Sequence, residues 1–322
     1  MKVLVTGGAG YIGSVTSELL LDQGCEVVIY DNLGRGHRQA VDERARLVEG
    51  DMRDGDLLLR TLKEVKPDAV MHFAAYALVG ESMQQPELYF DNNVKGMVNL
   101  ADAAVRSGVG SIVFSSTCAT YGWPEKLPID ENEPQTPANP YGESKLICER
   151  MLEWLHRQHG MRTVSLRYFN ASGATRKFGE DHCPETHLIP LVLETAMGRR
   201  QDVTVFGDDY DTPDGTCLRD YIHIADLAQA HILAMNADVS GAFNLGTGEG
   251  WSVRQVVETA RAVTGKEIPV RIGPRRPGDP ARLVAKADKA RVQLGWTPQF
   301  SDLRSIVESA WSWRQSNPKG YT

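Results

Sequence analysis

Residues 2–13 read KVLVTGGAGYIG: a short apolar β-type run, a glycine turn, and the opening of an amphipathic segment. Gly8-x-Gly10-x-x-Gly13 fills the turn, and Gly7 adds an overlapping Gly7-x-x-Gly10-x-x-Gly13. Glycines at such positions permit a tight turn, close approach of a ligand to the backbone, and close helix–strand packing. The helix that follows offers its first N–H groups to an anion. Taken alone, the triplet is equally a tight βα turn. Asp31 changes the balance, because it ends the second apolar run, 21 positions after Gly10. A carboxylate there accepts from adenosine ribose hydroxyls and repels a 2′-phosphate, so the pattern predicts NAD rather than NADP. Asp51 and Met52, after the third run, are placed to flank the adenine.

The same alternation continues outward from the turn. Apolar runs at residues 2–6, 26–30, 46–49, 69–73, 111–116 and 163–169 are separated by helical patterns at 11–23, 55–65, 86–107 and 140–159. Nearly continuous apolar strands are those covered on both sheet faces. Alternating strands and helices define an α/β protein with a doubly wound parallel Rossmann sheet. After residue 170 loops lengthen, and helices recur around 187–197, 225–237, 253–264 and 301–315. The expectation is an NAD-binding domain over 1–170, a smaller mixed α/β substrate lobe over 171–322, and a return of residues 225–250 to the first domain. AFNLGTG at 242–248 motivates that return, since it reads as one more buried strand and turn.

Composition excludes several classes. The 322 residues are 42% hydrophobic and 24% charged, which is ordinary globular composition. A net charge of −7 argues against nucleic acid as a partner. No apolar run reaches the roughly 18 residues of a membrane span, and no signal-peptide core precedes the first strand. The five cysteines are odd in number and widely spaced, which fits neither a disulfide framework nor a metal-binding Cys pair. A cytoplasmic protein is expected.

Two further motifs carry chemistry. Tyr141-x-x-x-Lys145 opens the fourth helical pattern behind Asn139-Pro140, an N-cap and a first helical residue. Residues i and i+4 share a helix face, so the ammonium is expected beside the phenol, where it favours the phenolate. That pair makes a base for a carbinol proton. SSTCATYG at 115–122 leaves the fifth strand at its carboxyl end, where ligands bind in such sheets.

With these motifs in order, the chain resembles the extended short-chain dehydrogenase/reductase family, and within it the nucleotide-sugar 4-epimerases. TGGAGYIGS, YDNL (30–33), FAA (73–75), DNN (91–93), SSTCATYG, NPYGESK (139–145), LRYFNASGA (166–174), RDYIHIADL (219–227), FNLGTG (243–248) and RPGDP (276–280) carry the resemblance nearly end to end. It implies NAD-dependent interconversion of UDP-glucose and UDP-galactose at sugar C4, through a 4-keto intermediate, by a homodimer. It implies Tyr141, Thr117 and Lys145 as catalytic residues, with Thr117 in place of a serine. For NAD it implies Gly7, Gly10, Tyr11, Ile12, Gly13, Asp31, Asn32, Asp51, Met52, Phe73, Ala74, Ala75, Asn92, Ser115, Tyr141 and Lys145. For the UDP-sugar it implies Thr117, Asn170, His187, Leu188, Arg219, Tyr221, Arg276, Asp279 and Leu283, the two arginines suiting a diphosphate.

The chain departs from the family in two places: Ala77 replaces a lysine near the cofactor phosphates, and His187 stands where relatives have asparagine. Leu283 matches a position where a tyrosine goes with exclusion of N-acetylated sugars, so a UDP-N-acetylhexosamine 4-epimerase is an alternative activity. A 4,6-dehydratase is another, although Cys118-Ala119 replaces its Asp-Glu pair. No metal is expected: His182, Cys183 and His187 fit no zinc spacing and lack a fourth ligand, and the acidic run 208–214 has Asp214 where a calcium loop needs glycine. Met151, Trp154 and Leu155 read as core or as a helix–helix dimer face.

Overall fold

The computed structural model describes residues 1–276 and 279–321; Pro277 and Gly278 of the RPGDP motif lie outside the described residues. Six strands follow the sequence pattern closely: β1 (Lys2–Thr6), β2 (Glu26–Asp31), β3 (Arg46–Glu49), β4 (Ala69–His72), β5 (Ser111–Thr117) and β6 (Arg162–Tyr168). A seventh, Gly241–Leu245, pairs in parallel with β6, so the sheet runs Gly241–Leu245, β6, β5, β4, β1, β2, β3. All its pairs are parallel. The chain winds one way from β1 to β2 and the other way to β4. The crevice outside their carboxyl ends is the topological switch point where ligands bind.

Alternate residues of each strand point to opposite faces, and both faces are buried. Val3, Val5, Ile29, Met71 and Val113 pack with Val15 and Leu20 of helix α1 (Tyr11–Asp22), and with Leu227 and Ala228 of the helix Ile224–Asn236. Leu4, Val28, Val70, Ile112 and Phe114 pack with Leu58 and Leu62 of helix α2 (Gly55–Val65), with Leu100, and with Leu152 of the long helix Pro140–His159. Each such side chain contributes about 1.5–3 kcal/mol when fully buried. The two-sided core explains why these strands read as continuous apolar runs.

The long helix starts as the sequence predicts. Asn139 Oδ1 accepts from Gly142 N at 2.8 Å, Pro140 takes the first helical position, and Gly160 ends the helix in the left-handed region at φ 65°. The pattern at 86–107 is helical throughout but includes a π-helical turn at Phe90–Lys95. Such widened turns cluster at functional sites, and this one carries Asn92 and Asn93. Helices Val79–Gln84 and Asp288–Leu294 have no counterpart in the sequence reading. Both are two turns or fewer, too short for a helical period to stand out. Among the described residues no helix is long and apolar enough to cross a membrane.

Candidate active site

The nucleotide end is built from the glycine turn. Gly7 sits at φ +73°, and a Cβ there would lie 2.4 Å from Ala74 N. At Gly13 a Cβ would meet Gly7 O at 2.2 Å, which packs α1 tightly on the turn. Gly10 differs: the nearest obstacle to a Cβ is Gly7 O at 3.4 Å, so its outer side is open. Gly10 also caps α1 without a side-chain bond, and no acidic residue lies in the first turn. The helix's first N–H groups and its positive end are thus left for an anion. These features fit a dinucleotide pyrophosphate.

Asp31, 8% exposed, accepts from Ala9 N at 3.0 Å and Leu33 N at 2.8 Å. It therefore fixes the glycine turn. Burial pushes its carboxyl pKa up, against those two amide bonds. Asn32 Nδ2 donates to Asp51 Oδ2 at 3.0 Å, and Met52 is buried against Gly96. Phe73 and Ala74 amides donate to Thr6 O at 2.9 and 3.1 Å, which continues the strand exit toward Ala75. Tyr11 donates its hydroxyl to Gly173 O at 2.6 Å, and Ile12 packs into the core beside it. Ala77 is exposed, and a cation still reaches its neighbour: the Arg35 guanidinium lies 5.1 Å from the Tyr76 ring centroid.

The catalytic end gathers at the exit of β5. Gly142 comes so near the turn after Thr117 that a Cβ would lie 2.5 Å from Ala119 O, which brings Tyr141 against that turn. The Thr117 side chain lies close enough to the Tyr141 phenol to act on its titration, and Thr117 Oγ1 accepts from Ala119 N at 3.1 Å. Lys145, 3% exposed, donates from Nζ to Ser115 O at 2.9 Å and lies over the Phe114 ring. Ser115 Oγ in turn bonds the Tyr168 hydroxyl. The chain thus brings Ser115, Thr117, Tyr141 and Lys145 together.

The expected phenolate needs correcting for the protein alone. Burial pushes the Tyr141 pKa up to about 12, with the neighbouring Thr117 hydroxyl opposing it. Lys145 Nζ is 6.0 Å from the Tyr141 ring centroid and is turned to the Ser115 carbonyl, so its charge does not offset that burial. Burial lowers the Lys145 pKa to about 8, which leaves the ammonium protonated at neutral pH.

The sequence reading passed over the residues that hold this helix start in place. Asn93 Oδ1 accepts from Tyr76 N at 2.9 Å and from Asn92 Nδ2 at 3.0 Å, while Asn93 Nδ2 donates to Ser144 Oγ at 3.0 Å. Ser144 Oγ donates to Tyr141 O at 2.7 Å. The DNN motif held the signal, but only Asn92 was drawn from it. Beneath lies a second unread feature, the buried Glu149–Arg167 pair at 2.6 Å, which also engages Ser116 and Tyr121.

On the substrate side, Arg219 pairs with Asp279 and donates to Leu218 O at 2.8 Å. Arg276 stacks over Phe206, 4.1 Å from the ring centroid. Tyr221 is buried in the strand Tyr221–His223, and Asn170 Nδ2 donates to Asp220 O at 3.0 Å. Leu283 pairs in register with Arg219 and is partly buried against the cluster of Tyr121, Ile129, Phe169 and Ala285. His187, just before Leu188 opens the helix Leu188–Ala196, turns to Glu180 and Glu185. Burial lowers its pKa, but the Glu180 charge and the carboxylate hydrogen bonds override this and push it up to about 10. In the acidic run, Asp214 accepts from Thr216 N at 2.9 Å and Asp209 pairs with Arg275, as in a solvated turn.

A glycine turn at the switch point, an acid ending β2, and a Thr-Tyr-Lys set at β5 define a dinucleotide-dependent enzyme acting on a carbinol. Residues 3–246 match the NAD dependent epimerase/dehydratase family, and the chain belongs to it. It is 50% identical over 327 residues to a UDP-glucose 4-epimerase of Lacticaseibacillus casei, covering 100% of this chain and 99% of that one. A crystal structure of UDP-glucose 4-epimerase from Bifidobacterium longum with NAD+ and UDP superposes with TM-score 0.94 at 40% identity, over 99% of this chain and 100% of the other. The UDP-Glc/GlcNAc 4-epimerase of Campylobacter jejuni superposes with TM-score 0.86 at 39% identity, over 98% and 99% of the two chains.

Proposed function

We propose that this chain interconverts UDP-glucose and its C4 epimer, UDP-galactose, with NAD as resident cofactor. The observation that carries the reading is the gathering of Tyr141 and buried Lys145 beside Thr117 at the carboxyl end of β5, through the close approach of Gly142 to Ala119 and the Lys145 bond to Ser115 O. The chemistry a bound NAD supplies is hydride acceptance from, and return to, sugar C4 by way of a 4-keto sugar.

The protein's own groups handle the proton and the positioning. Tyr141, as phenolate, would take the 4″-hydroxyl proton as C4 is oxidised and return it as C4 is reduced, since it places a titratable O–H beside Thr117 at the strand exit. Thr117 orients the sugar hydroxyl, and the positive charge of a bound NAD⁺ would add to that of Lys145, still cationic at neutral pH, in favouring the phenolate that the protein alone keeps protonated. Arg219 and Arg276 are assigned to the diphosphate and Asn170, His187, Leu188, Tyr221, Asp279 and Leu283 to the rest of the UDP-sugar. Holding the nucleotide firmly and the hexose loosely lets either sugar face reach the same C4 chemistry. Gly7, Gly10, Tyr11, Ile12, Gly13, Asp31, Asn32, Asp51, Met52, Phe73, Ala74, Ala75, Asn92 and Ser115 are assigned, with Tyr141 and Lys145, to NAD.

A homodimer is supported by Trp154 on the long helix and Val98 on the neighbouring Gly96–Ser107 helix, both largely exposed. A cytoplasmic setting is supported by five free thiols.

Product analysis after incubation with UDP-galactose tests the reaction; absence of UDP-glucose without added coenzyme counts against it. The purified protein is expected to release NAD(H), and no NADP, on acid denaturation. Stoichiometric NADP in its place would refute the reading of Asp31. Leu283 leads to a specificity prediction. Leucine lacks the ring and hydroxyl of tyrosine, so UDP-N-acetylgalactosamine is expected to be a second substrate. Leu283→Tyr is expected to lower its kcat/KM relative to UDP-galactose by about tenfold or more. An unchanged ratio would place Leu283 in the core alone.

A further inference from the structure

Two glutamates and two histidines meet in the loop before the helix Leu188–Ala196, and the epimerisation does not use them as a group. His187 Nδ1 lies 2.8 Å from Glu180 Oε1 and 3.0 Å from Glu185 Oε1. His182 Nδ1 lies 3.2 Å from Glu180 Oε1 and 3.7 Å from Glu185 Oε2. One ligand-type atom from each of the four residues falls within 4.8 Å of all the others. The sequence reading saw the histidines but found no fourth ligand; the fold supplies it by turning Glu180 and Glu185 inward.

Hydrogen bonding alone leaves this cluster incomplete. His182 Nδ1 and Glu185 Oε2 are sealed from solvent and have no hydrogen-bond partner. Such atoms cost about 1–3 kcal/mol each when nothing satisfies them. Glu185 Oε1 is already held by the amides of Thr186 and His187 at 2.7 and 2.8 Å, which leaves Oε2 as the free donor of a lone pair. Around a cation with bonds of about 2.0–2.1 Å, tetrahedral ligands sit about 3.3 Å apart. Three of the ligand separations, 2.8, 3.2 and 3.7 Å, lie around that value, and the remaining ones stay within 4.8 Å.

We propose that Glu180, His182, Glu185 and His187 form a closed divalent-metal site whose two-imidazole, two-carboxylate donor set suits Zn²⁺. Four protein ligands leave no open position, so the ion is structural. It ties the 180–187 loop to the cofactor end of the molecule, because the His182 ring meets Tyr11 edge-on at 6.1 Å. Ligation through Nδ1 fixes the His187 tautomer and keeps its Nε2–H as a donor.

The test uses holoenzyme purified without nickel or chelator, equilibrated with Zn²⁺ and dialysed against metal-free buffer. Elemental analysis is expected to find ~1 zinc per chain, and Co²⁺ exchange to give visible d–d bands. His182→Asn/Glu185→Gln is expected to lose both signals while keeping its NAD and its circular dichroism spectrum. Wild type that holds neither ion, or a double variant that keeps both, overturns the site. Should the double variant fold poorly, a strong chelator decides on wild type: a lowered Tm supports the structural ion, and an unchanged Tm rejects it.

Discussion

Tyr141→Phe is expected to lower kcat by about 10³-fold while the protein still carries NAD. The ring stays packed at the start of the long helix, 6.4 Å from the Tyr89 ring, so the cofactor end is undisturbed. What goes is the phenol hydroxyl beside Thr117, the group assigned to exchange a proton with the sugar. Because that exchange is made only in the transition state, the loss should appear in kcat and kcat/KM alike, with KM little changed. Thr117→Ala is expected to cost only about fivefold, the worth of one neutral hydrogen bond near 1 kcal/mol. A Tyr141→Phe variant within tenfold of wild type, or one costing less than Thr117→Ala, would remove Tyr141 from the role of base.

Glu149→Ala is expected to destabilise the fold by about 3–5 kcal/mol and to lower Tm by several degrees. The two side chains are 6% and 7% exposed, and Arg167 reaches both carboxylate oxygens, from Nε at 2.9 and 3.1 Å and from a terminal nitrogen at 2.6 Å. Removing the acid leaves a guanidinium under the sheet whose remaining hydrogen-bond partner among the described residues is Tyr121, at 2.9 Å. The desolvation cost then stands without its Coulombic offset. Replacing both partners by methionine should recover much of the loss, since no charge is left stranded. Thermal unfolding of wild type and the two variants decides: a Glu149→Ala change below about 1 kcal/mol would show the pair to be idle.

The parts of this protein that sequence periodicity could reach were those governed by one element at a time. β1, β3 and the helix at 140–159 begin and end where apolar alternation and capping residues place them, because Asn139, Pro140 and Gly160 act locally. Glu149 was legible in part: it follows Tyr141 and Lys145 at helical spacing on one face, and Arg167 sits between Leu166 and Tyr168 in the strand at 163–169. Two charges on separately buried surfaces call for each other, but only the fold says that they meet. The Glu180–His187 loop was harder, since its four ligand atoms converge through turns that obey no period. Lys145 shows a further limit. Helical spacing puts it on the face of Tyr141, but its rotamer is chosen by the Ser115 carbonyl.

The strand Gly241–Leu245 closes one side of the main sheet although it comes late in the chain. During synthesis the residues after β6 emerge for several seconds at roughly 5–20 residues per second before that strand exists. Over this interval β6 is a bare edge, with the apolar Val164 and Leu166 uncovered and half its ladder unpaired. Nascent chains halted between β6 and residue 241 are therefore the species most exposed to intermolecular strand pairing, and the ones on which a ribosome-associated chaperone has most to hold.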